Sequence, residues 1–429
     1  MAKIPRIVIV GGGWAGCAAA ISAQQAGAEV ILLERTDMLL GAGLVGGIML
    51  NNGRMTAALE TSFLGGHIMF EALEKTYRHR NISFPGHDHA SLYDVIKVES
   101  IIRHLLKQRD VQIYFRSRVA GVSQTKEQVE SVILESGEVV PADTFIDATG
   151  TSGPPGNCWR HGHGCVLCIQ RCPAFGPRTS LVKMAGAEEY SLLKLDGSFG
   201  AMSGSCKLCP ESLSLEIQER LKQCGVVVVP LPIDLVRPQK LKLKVCQQYA
   251  QNEFAANIIL LDTGAVKLMT PFFPLEALRQ VPGFELVRYS DPLAGGQGNS
   301  MRLLAMAYRD STLKVDGLSN VLVAGEKQGP AVGHTEAIVT GFLAGHNAVC
   351  YALGIEPLIL PKALASGALI AAIGDDLERN RPGYQSYTFS GAGFFQTMLE
   401  NNLYSTDPNQ IAERVATSNL TGIYNQALC

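Results

Sequence analysis

Arg6-Ile7-Val8-Ile9-Val10-Gly11-Gly12-Gly13-Trp14-Ala15-Gly16, followed by the alanine-rich stretch Cys17 to Gln25, decides the fold. Five β-branched or basic residues suit a strand buried in a parallel sheet, and the alanines suit a helix packed closely against it. Between them stands Gly-x-Gly-x-x-Gly, whose glycines have separate duties. Gly11 permits the tight turn, Gly13 lets a pyrophosphate approach the backbone, and Gly16 lets helix lie on strand, with Trp14 and Ala15 at the helix start facing the phosphates. A second strand, Val30-Ile31-Leu32-Leu33, ends in Glu34, eighteen residues past Gly16 and followed by Arg35. An acid at that distance can accept from both hydroxyls of an adenosine ribose.

Outward from this motif the chain reads as a large globular α/β protein. It has 429 residues, 47% hydrophobic and 18% charged, which excludes a disordered tail or a mini-protein. Its 44 glycines follow no Gly-X-Y period, so they mark tight turns. A net charge of −2 gives no global pull toward nucleic acid or anionic membrane. No apolar run approaches the roughly 18 residues of a membrane span, and the start leads directly into a strand; a cytoplasmic protein without membrane contact is expected.

The downstream strands favour FAD over NAD as the dinucleotide. Val111 to Phe115, Arg118 to Val122 (with Val119 toward the cofactor), a hairpin of Val132–Leu134 and Val139–Val140, and Thr144-Phe145-Ile146-Asp147-Ala148-Thr149-Gly150 follow in the order of two-dinucleotide-binding flavoproteins. Ala148, Thr149 and Gly150 would pass the adenosine diphosphate. No second Gly-x-Gly-x-x-Gly unit follows, so a nicotinamide acting as reductant, NAD(P)H, would share the substrate's site.

Further on, Val281-Pro282-Gly283-Phe284-Glu285, Gly317 to Glu326, Gly333-His334-Thr335-Glu336-Ala337 and Gly341 to Ala348 resemble the closing FAD segment of the GidA family. That family comprises the flavoprotein of tRNA wobble-uridine carboxymethylaminomethylation and the folate- and FAD-dependent tRNA uridine methyltransferases. The resemblance covers roughly residues 5–50, 140–175 and 270–400. It implies an α/β fold in which a discontinuous Rossmann-like FAD-binding domain carries an inserted α/β substrate domain. The expected limits are 1–150 and 271–355 for the FAD domain, 151–270 for a Cys-rich insert and 356–429 for a packed tail. Gly325, Glu326, Gly333, His334 and Thr335 are its second set of cofactor residues, with the amides of a helix starting near Gly333 aimed at the flavin. Homologues of this fold often form homodimers. One departure is evident: the methyltransferase branch carries a cysteine in the loop where this chain has Gly41 to Gly47.

Six of the eleven cysteines lie between Cys158 and Cys209. Cys165-x2-Cys168-x3-Cys172-Pro173 has the close spacing of iron–sulfur ligation, with Cys158, Cys206 or Cys209 to complete a [4Fe-4S] site. Cys165/Cys168 and Cys206/Cys209 can instead form the paired knuckles of a zinc site. A third reading makes Cys168 and Cys172 catalytic, as a flavin-linked dithiol or, for Cys172, as a nucleophile toward uracil; both GidA branches use cysteine chemistry, the wobble-uridine branch with a proline after its cysteine. The leading expectation is an FAD oxidoreductase passing electrons to a cysteine-ligated cluster or dithiol, with a small-molecule or redox-protein substrate. RNA uridine modification and a zinc-stapled flavin-binding scaffold are the alternatives. Lys240, Lys242 and Lys244 alternate with leucines as an expected amphipathic strand, read as a solvated edge in preference to an RNA contact.

Overall fold

The strand Arg6–Val10 is central in a five-stranded parallel sheet of order Val321–Val323, Thr144–Asp147, Arg6–Val10, Glu29–Glu34, Gln112–Phe115. In the register Val8 lies between Ile31 and Phe145, and Ile146 is beside Leu322. The two-residue alternation of a strand then sorts side chains by face. Ile7, Ile9, Leu32, Ile146 and Leu322 share one apolar cluster with the helices Trp14–Gln25 and His334–Leu353. Val8, Val10, Ile31, Leu33, Phe145, Val321 and Val323 join another with Val119, Val129 and Val132. These last three belong to an antiparallel sheet of Val119–Thr125, Gln128–Leu134 and Val139–Pro141, the hairpin region anticipated from sequence. Burial on both faces explains why the strands read as unbroken apolar runs.

The computed structural model describes residues 4–150, 174–191, 201–203, 206–243, 247–269, 273–290, 300–302, 305–378, 386–391 and 393–429. The last strand of the parallel sheet arrives some 170 residues after its neighbour, so the nucleotide-binding unit is discontinuous. Two close helices lock its halves together: a Cβ on Gly341 would lie 2.4 Å from the Ala15 carbonyl oxygen, and one on Gly345 would lie 2.3 Å from that of Ala19.

The inserted unit is a four-stranded antiparallel sheet of order Cys206–Leu208, Ala265–Leu268, Asn257–Thr263, Val226–Pro230, with the helix Leu215–Cys224 on it. Its core takes in Leu278, Val281, Phe284, Val287 and Tyr289. Apolar packing thus carries this unit past residue 270 to Tyr289. Leu181 and Val182, expected within the insert, instead pack under the parallel sheet. A smaller three-stranded antiparallel sheet of order Ile48–Met49, His87–Tyr93, Tyr77–Phe84 joins the insert through Ile48, Phe84, Leu92, Ile259, Leu261 and Met269.

The expected strand at Lys240–Lys244 is not one from Lys240 to Leu243, and Lys244 lies outside the described residues. Residues Pro238–Leu243 form a 3-10 helix that buries Leu241 with Phe84 and Phe254. Proline at its start has no N–H for a ladder. The tail helices Ala365–Glu378 and Pro408–Thr417 pack on Gly53–Thr61. Here the buried Glu60 carboxylate accepts from Ala365 N at 2.8 Å and Ser366 N at 3.0 Å, satisfying free amides at a helix start. No helix among the described residues is long and apolar enough to cross a membrane.

Candidate functional site: a cleft with two ends

A cleft of about 1750 Å³, open mouth included, runs over the carboxyl ends of the parallel strands, where open α/β sheets bind ligands. Gly11, Gly13, Trp14, Ala15, Glu34, Arg35, Val119, Ala148, Thr149, Gly150, Gly325, Glu326, Gly333 and His334 all line it. Gly16 and Thr335 lie behind the wall. A Cβ on Gly16 would sit 1.9 Å from the Gly11 carbonyl oxygen, so this glycine serves helix-on-strand packing. Thr335 is buried with its hydroxyl 3.8 Å from Met49 Sδ.

The first end is shaped by backbone. Gly11 has φ +104°, and a side chain there would meet the Ala148 carbonyl oxygen at 2.6 Å. Gly13, by contrast, has open space where its Cβ would stand, which leaves the helix start bare toward the cleft. Glu34 is fixed before any ligand arrives. One carboxylate oxygen accepts from Gly12 N at 2.9 Å and the other from Thr36 N and Oγ1, each at 2.8 Å. Asp147 similarly accepts from Thr149 N at 3.0 Å and Oγ1 at 2.7 Å, shaping the turn into Gly150. Arg35 donates to the Gly176 carbonyl, tying the rim to the 174–191 segment. Vacant space against Gly13, a helix amino terminus and a pre-set carboxylate form a cradle that fits the adenosine diphosphate half of FAD.

The second end is lined by side chains that sequence reasoning did not find: Arg54, Gln248, Tyr249, Lys267 and Met269. Arg54 is buried and donates through Nε to both Glu336 oxygens, at 3.1 and 3.0 Å. Glu336 also accepts from Thr388 Oγ1 at 2.6 Å and Phe389 N at 2.9 Å. Burial alone would lower the guanidinium's pKa, but Glu336 and Tyr249 outweigh it and hold the group above its usual value. The cation at this end is therefore permanent. A side chain on Gly333 would collide with this pair, at 1.9 Å from Glu336 and 2.2 Å from Arg54.

Opposite, Lys267 donates to the carbonyls of Val45 at 2.9 Å and Gly46 at 2.6 Å, and Lys207 donates to that of Leu44 at 2.6 Å. These carbonyls end the one-turn helix Gly43–Gly46, so the two ammonium groups satisfy its free acceptors. The loop reaches His334, since a Cβ on Gly46 would lie 1.7 Å from its Nε2. His334 in turn packs edge-on against Trp14 and Tyr93, each with centroids 6.0 Å apart. A weak signal for this end was present: the lone lysine in Ala265-Val266-Lys267-Leu268 and the glycine-dense 41–47 stretch.

Of the cysteines singled out, Cys158, Cys165, Cys168 and Cys172 lie outside the described residues. Cys206 to Cys209 corrects one expectation. Cys206–Leu208 is a ladder strand continued by an extended Cys209, not the tight turn that lets a Cys-x2-Cys knuckle grip one ion. Cys209 Sγ is instead 3.0 Å from Glu211 Oε2 and 3.4 Å from an Arg288 nitrogen. Among the described residues no group of three histidine, cysteine or acidic side chains is arranged to hold a metal.

Residues 6–152 match the family model of FAD dependent oxidoreductases, and residues 262–356 match that of glucose inhibited division protein A. The methylenetetrahydrofolate–tRNA-(uracil-5-)-methyltransferase TrmFO of Moorella thermoacetica is 39% identical over 100 residues, 23% of this chain and 22% of its own length. TrmFO of Deinococcus radiodurans is 31% identical over 137 residues, 31% of this chain and 28% of its own. The matched stretches thus span less than a third of these relatives. GidA of Aquifex aeolicus superposes with a TM-score of 0.68 at 15% identity, over 97% of this chain and 74% of that one, a likeness of fold. One family model thus falls on each side of the insert and the fold is like that of GidA, so this chain resembles the GidA/TrmFO-like FAD flavoproteins.

Proposed function

We propose that the chain binds FAD along the cleft and uses it to modify a uridine in RNA, with tRNA as the substrate class. The observation that carries this reading is the cleft's second end, where Arg54, Tyr249 and Lys267 surround space beyond the dinucleotide cradle. The TrmFO relatives, which act on a uracil of tRNA, supply the substrate class. Gly11, Gly13 and the start of the helix Trp14–Gln25 would hold the pyrophosphate, Glu34 the adenosine ribose, and Gly325, Glu326, Gly333 and His334 the flavin-proximal portion.

FAD supplies hydride chemistry, which a one-carbon unit at the aldehyde oxidation level needs to become a methyl group, with NAD(P)H as a reductant sharing the substrate's side of the cleft. The protein's own part is positioning. Arg54, whose N–H groups are taken by Glu336, Asn51, Val332 and Thr388, fixes Tyr249 beside it, and Tyr249 is the proton donor toward a uracil oxygen as electron density shifts onto it. Cys172, with Cys168 as its partner in sequence, is the thiol we assign to addition at uracil C6; C5 then bonds to the one-carbon unit, the C5 proton leaves as the unit's carrier departs, and hydride arriving at the resulting exocyclic methylene makes the methyl group and expels the thiolate from C6. Neither electron delivery to a cysteine-ligated iron–sulfur cluster nor a structural zinc site has support among the described residues.

The test is incubation of purified, flavin-loaded protein with an unmodified tRNA transcript, NADPH and methylenetetrahydrofolate, followed by nucleoside mass spectrometry. A modified uridine that disappears in Cys172→Ser is expected. Protein that retains FAD and oxidises NADPH but leaves every uridine unchanged with each one-carbon donor overturns the reading.

A further inference from the structure

A second, smaller pocket opens away from the cleft, lined by Lys75, Arg78, His79, Asp94, Lys97, Lys222 and Asp262 among others. Four separate elements bring the basic residues together. Lys75 ends the helix His67–Glu74, Arg78 and His79 lie on the strand Tyr77–Phe84, Lys97 precedes the helix Val98–Gln108, and Lys222 is on Leu215–Cys224.

The two acids are already engaged. Asp262 accepts from Arg78 Nε at 2.9 Å through one oxygen and lies 2.9 Å from His79 Nε2 through the other. Asp94 takes Arg78 Nη1 at 3.3 Å on one oxygen and the amide of Ile96 at 3.0 Å on the other. Lys97 Nζ is 3.9 Å from Asp94 and its side chain is 74% exposed; Lys75 and Lys222 are exposed and have no acidic partner among the described residues. Four permanent cations against two spent carboxylates leave a net charge of +2 in a concavity of about 650 Å³. The whole chain carries −2, so this is a local anion trap on a molecule with no general attraction for polyanions.

The β-hairpin of Asn257–Thr263 and Ala265–Leu268 links the trap to the cleft. Asp262 faces the trap, while Lys267, paired in register with Leu261 and so on the opposite face, reaches the cleft loop. Resting on the RNA reading above, we infer that this pocket seats a phosphate of the tRNA backbone, with Arg78 held rigid by Asp94 and Asp262 and the three lysines closing on the phosphodiester oxygens. Lysine contacts of this kind fix position and affinity rather than sequence, and they make binding steeply salt-dependent.

The test measures binding of an unmodified tRNA transcript to the flavin-loaded full chain across a salt series. Lys75→Glu/Lys97→Glu/Lys222→Glu is compared with Lys107→Glu/Lys126→Glu/Lys183→Glu, an equal charge change at exposed lysines elsewhere. The pocket variant is expected to bind at least about tenfold more weakly and to lose about 1 from the slope of log K against log salt, since one phosphate contact carries about 0.7 to 0.9. The control should stay within about twofold, and both should keep the wild-type flavin spectrum. Equal losses in the two variants, or none in the pocket variant, overturn the proposal while leaving the RNA reading intact. A wild type that fails to hold the transcript even at low salt overturns both.

Discussion

At the Glu34 end of the cleft, the groups that meet the cavity are mainly backbone amides and bare glycine positions, those from Gly11 to Thr36 set within about thirty residues and joined by one later turn at Ala148 to Gly150. At the Arg54 end they are side chains from remote segments: Arg54 from a helix after the second strand, Gln248, Tyr249 and Lys267 from the insert, and Glu336 behind Arg54 from the closing helix. A backbone-built site is written locally, because turn, strand and helix start must be consecutive. A side-chain-built site requires only that the fold bring its members together. The two ends should therefore fail differently.

The largest effect is expected at the backbone-built end. Gly16→Ala puts a methyl 1.9 Å from the Gly11 carbonyl oxygen, which is backbone and cannot rotate away. Helix and strand must part, and the protein should be purified without flavin or not in folded form. A soluble Gly16→Ala protein with a normal flavin content would show that the helix can slide, and would erase the contrast between the ends.

The side-chain-built end should lose stability through charge. Arg54→Met leaves the Glu336 carboxylate buried and uncompensated, a change of about 3–5 kcal/mol in unfolding free energy. Adding Glu336→Gln removes that charge, so the double variant should be more stable than Arg54→Met alone in denaturant melts. If the double variant is the weaker, the pair is not the element that holds this end.

This contrast also accounts for what could be read from the sequence. The motif from Arg6 to Gly16, Glu34, and the strand–turn–helix around Gly325 and His334 were legible, because strand alternation and glycine turns encode them over short windows. The Lys240–Lys244 alternation misled, since a two-residue period specifies a strand only where a sheet edge is free to receive it. Arg54 and Tyr249 gave no signal: each partner lies far away in sequence, and a buried arginine looks like any surface arginine until the Glu336 carboxylate is beside it.

The smallest effect concerns the lysine wall of the second end. Lys207 and Lys267 stand directly across from each other on neighbouring strands, an arrangement that like charges ordinarily disfavour. The carbonyls of Leu44, Val45 and Gly46 offset the repulsion, but burial still pushes Lys207 from 10.5 down to about 8. The unfolded chain keeps that proton to higher pH than the native one does. Between about pH 8 and 10.5 the unfolded state therefore binds more protons, and the Lys207 contribution to stability rises with pH across that window. Below pH 8 the native state bears the full cost of burying the ammonium. Lys207→Met removes the titration, so the stability difference between wild type and variant should shift in favour of wild type by about 1–2 kcal/mol from pH 7.5 to 10, allowing for solvent screening of a half-buried group. Parallel stability profiles for the two proteins would mean that Lys207 holds its proton throughout. Lys207 would then be as fixed in charge as Arg54, and the second end would owe none of its pH response to the strand that carries it.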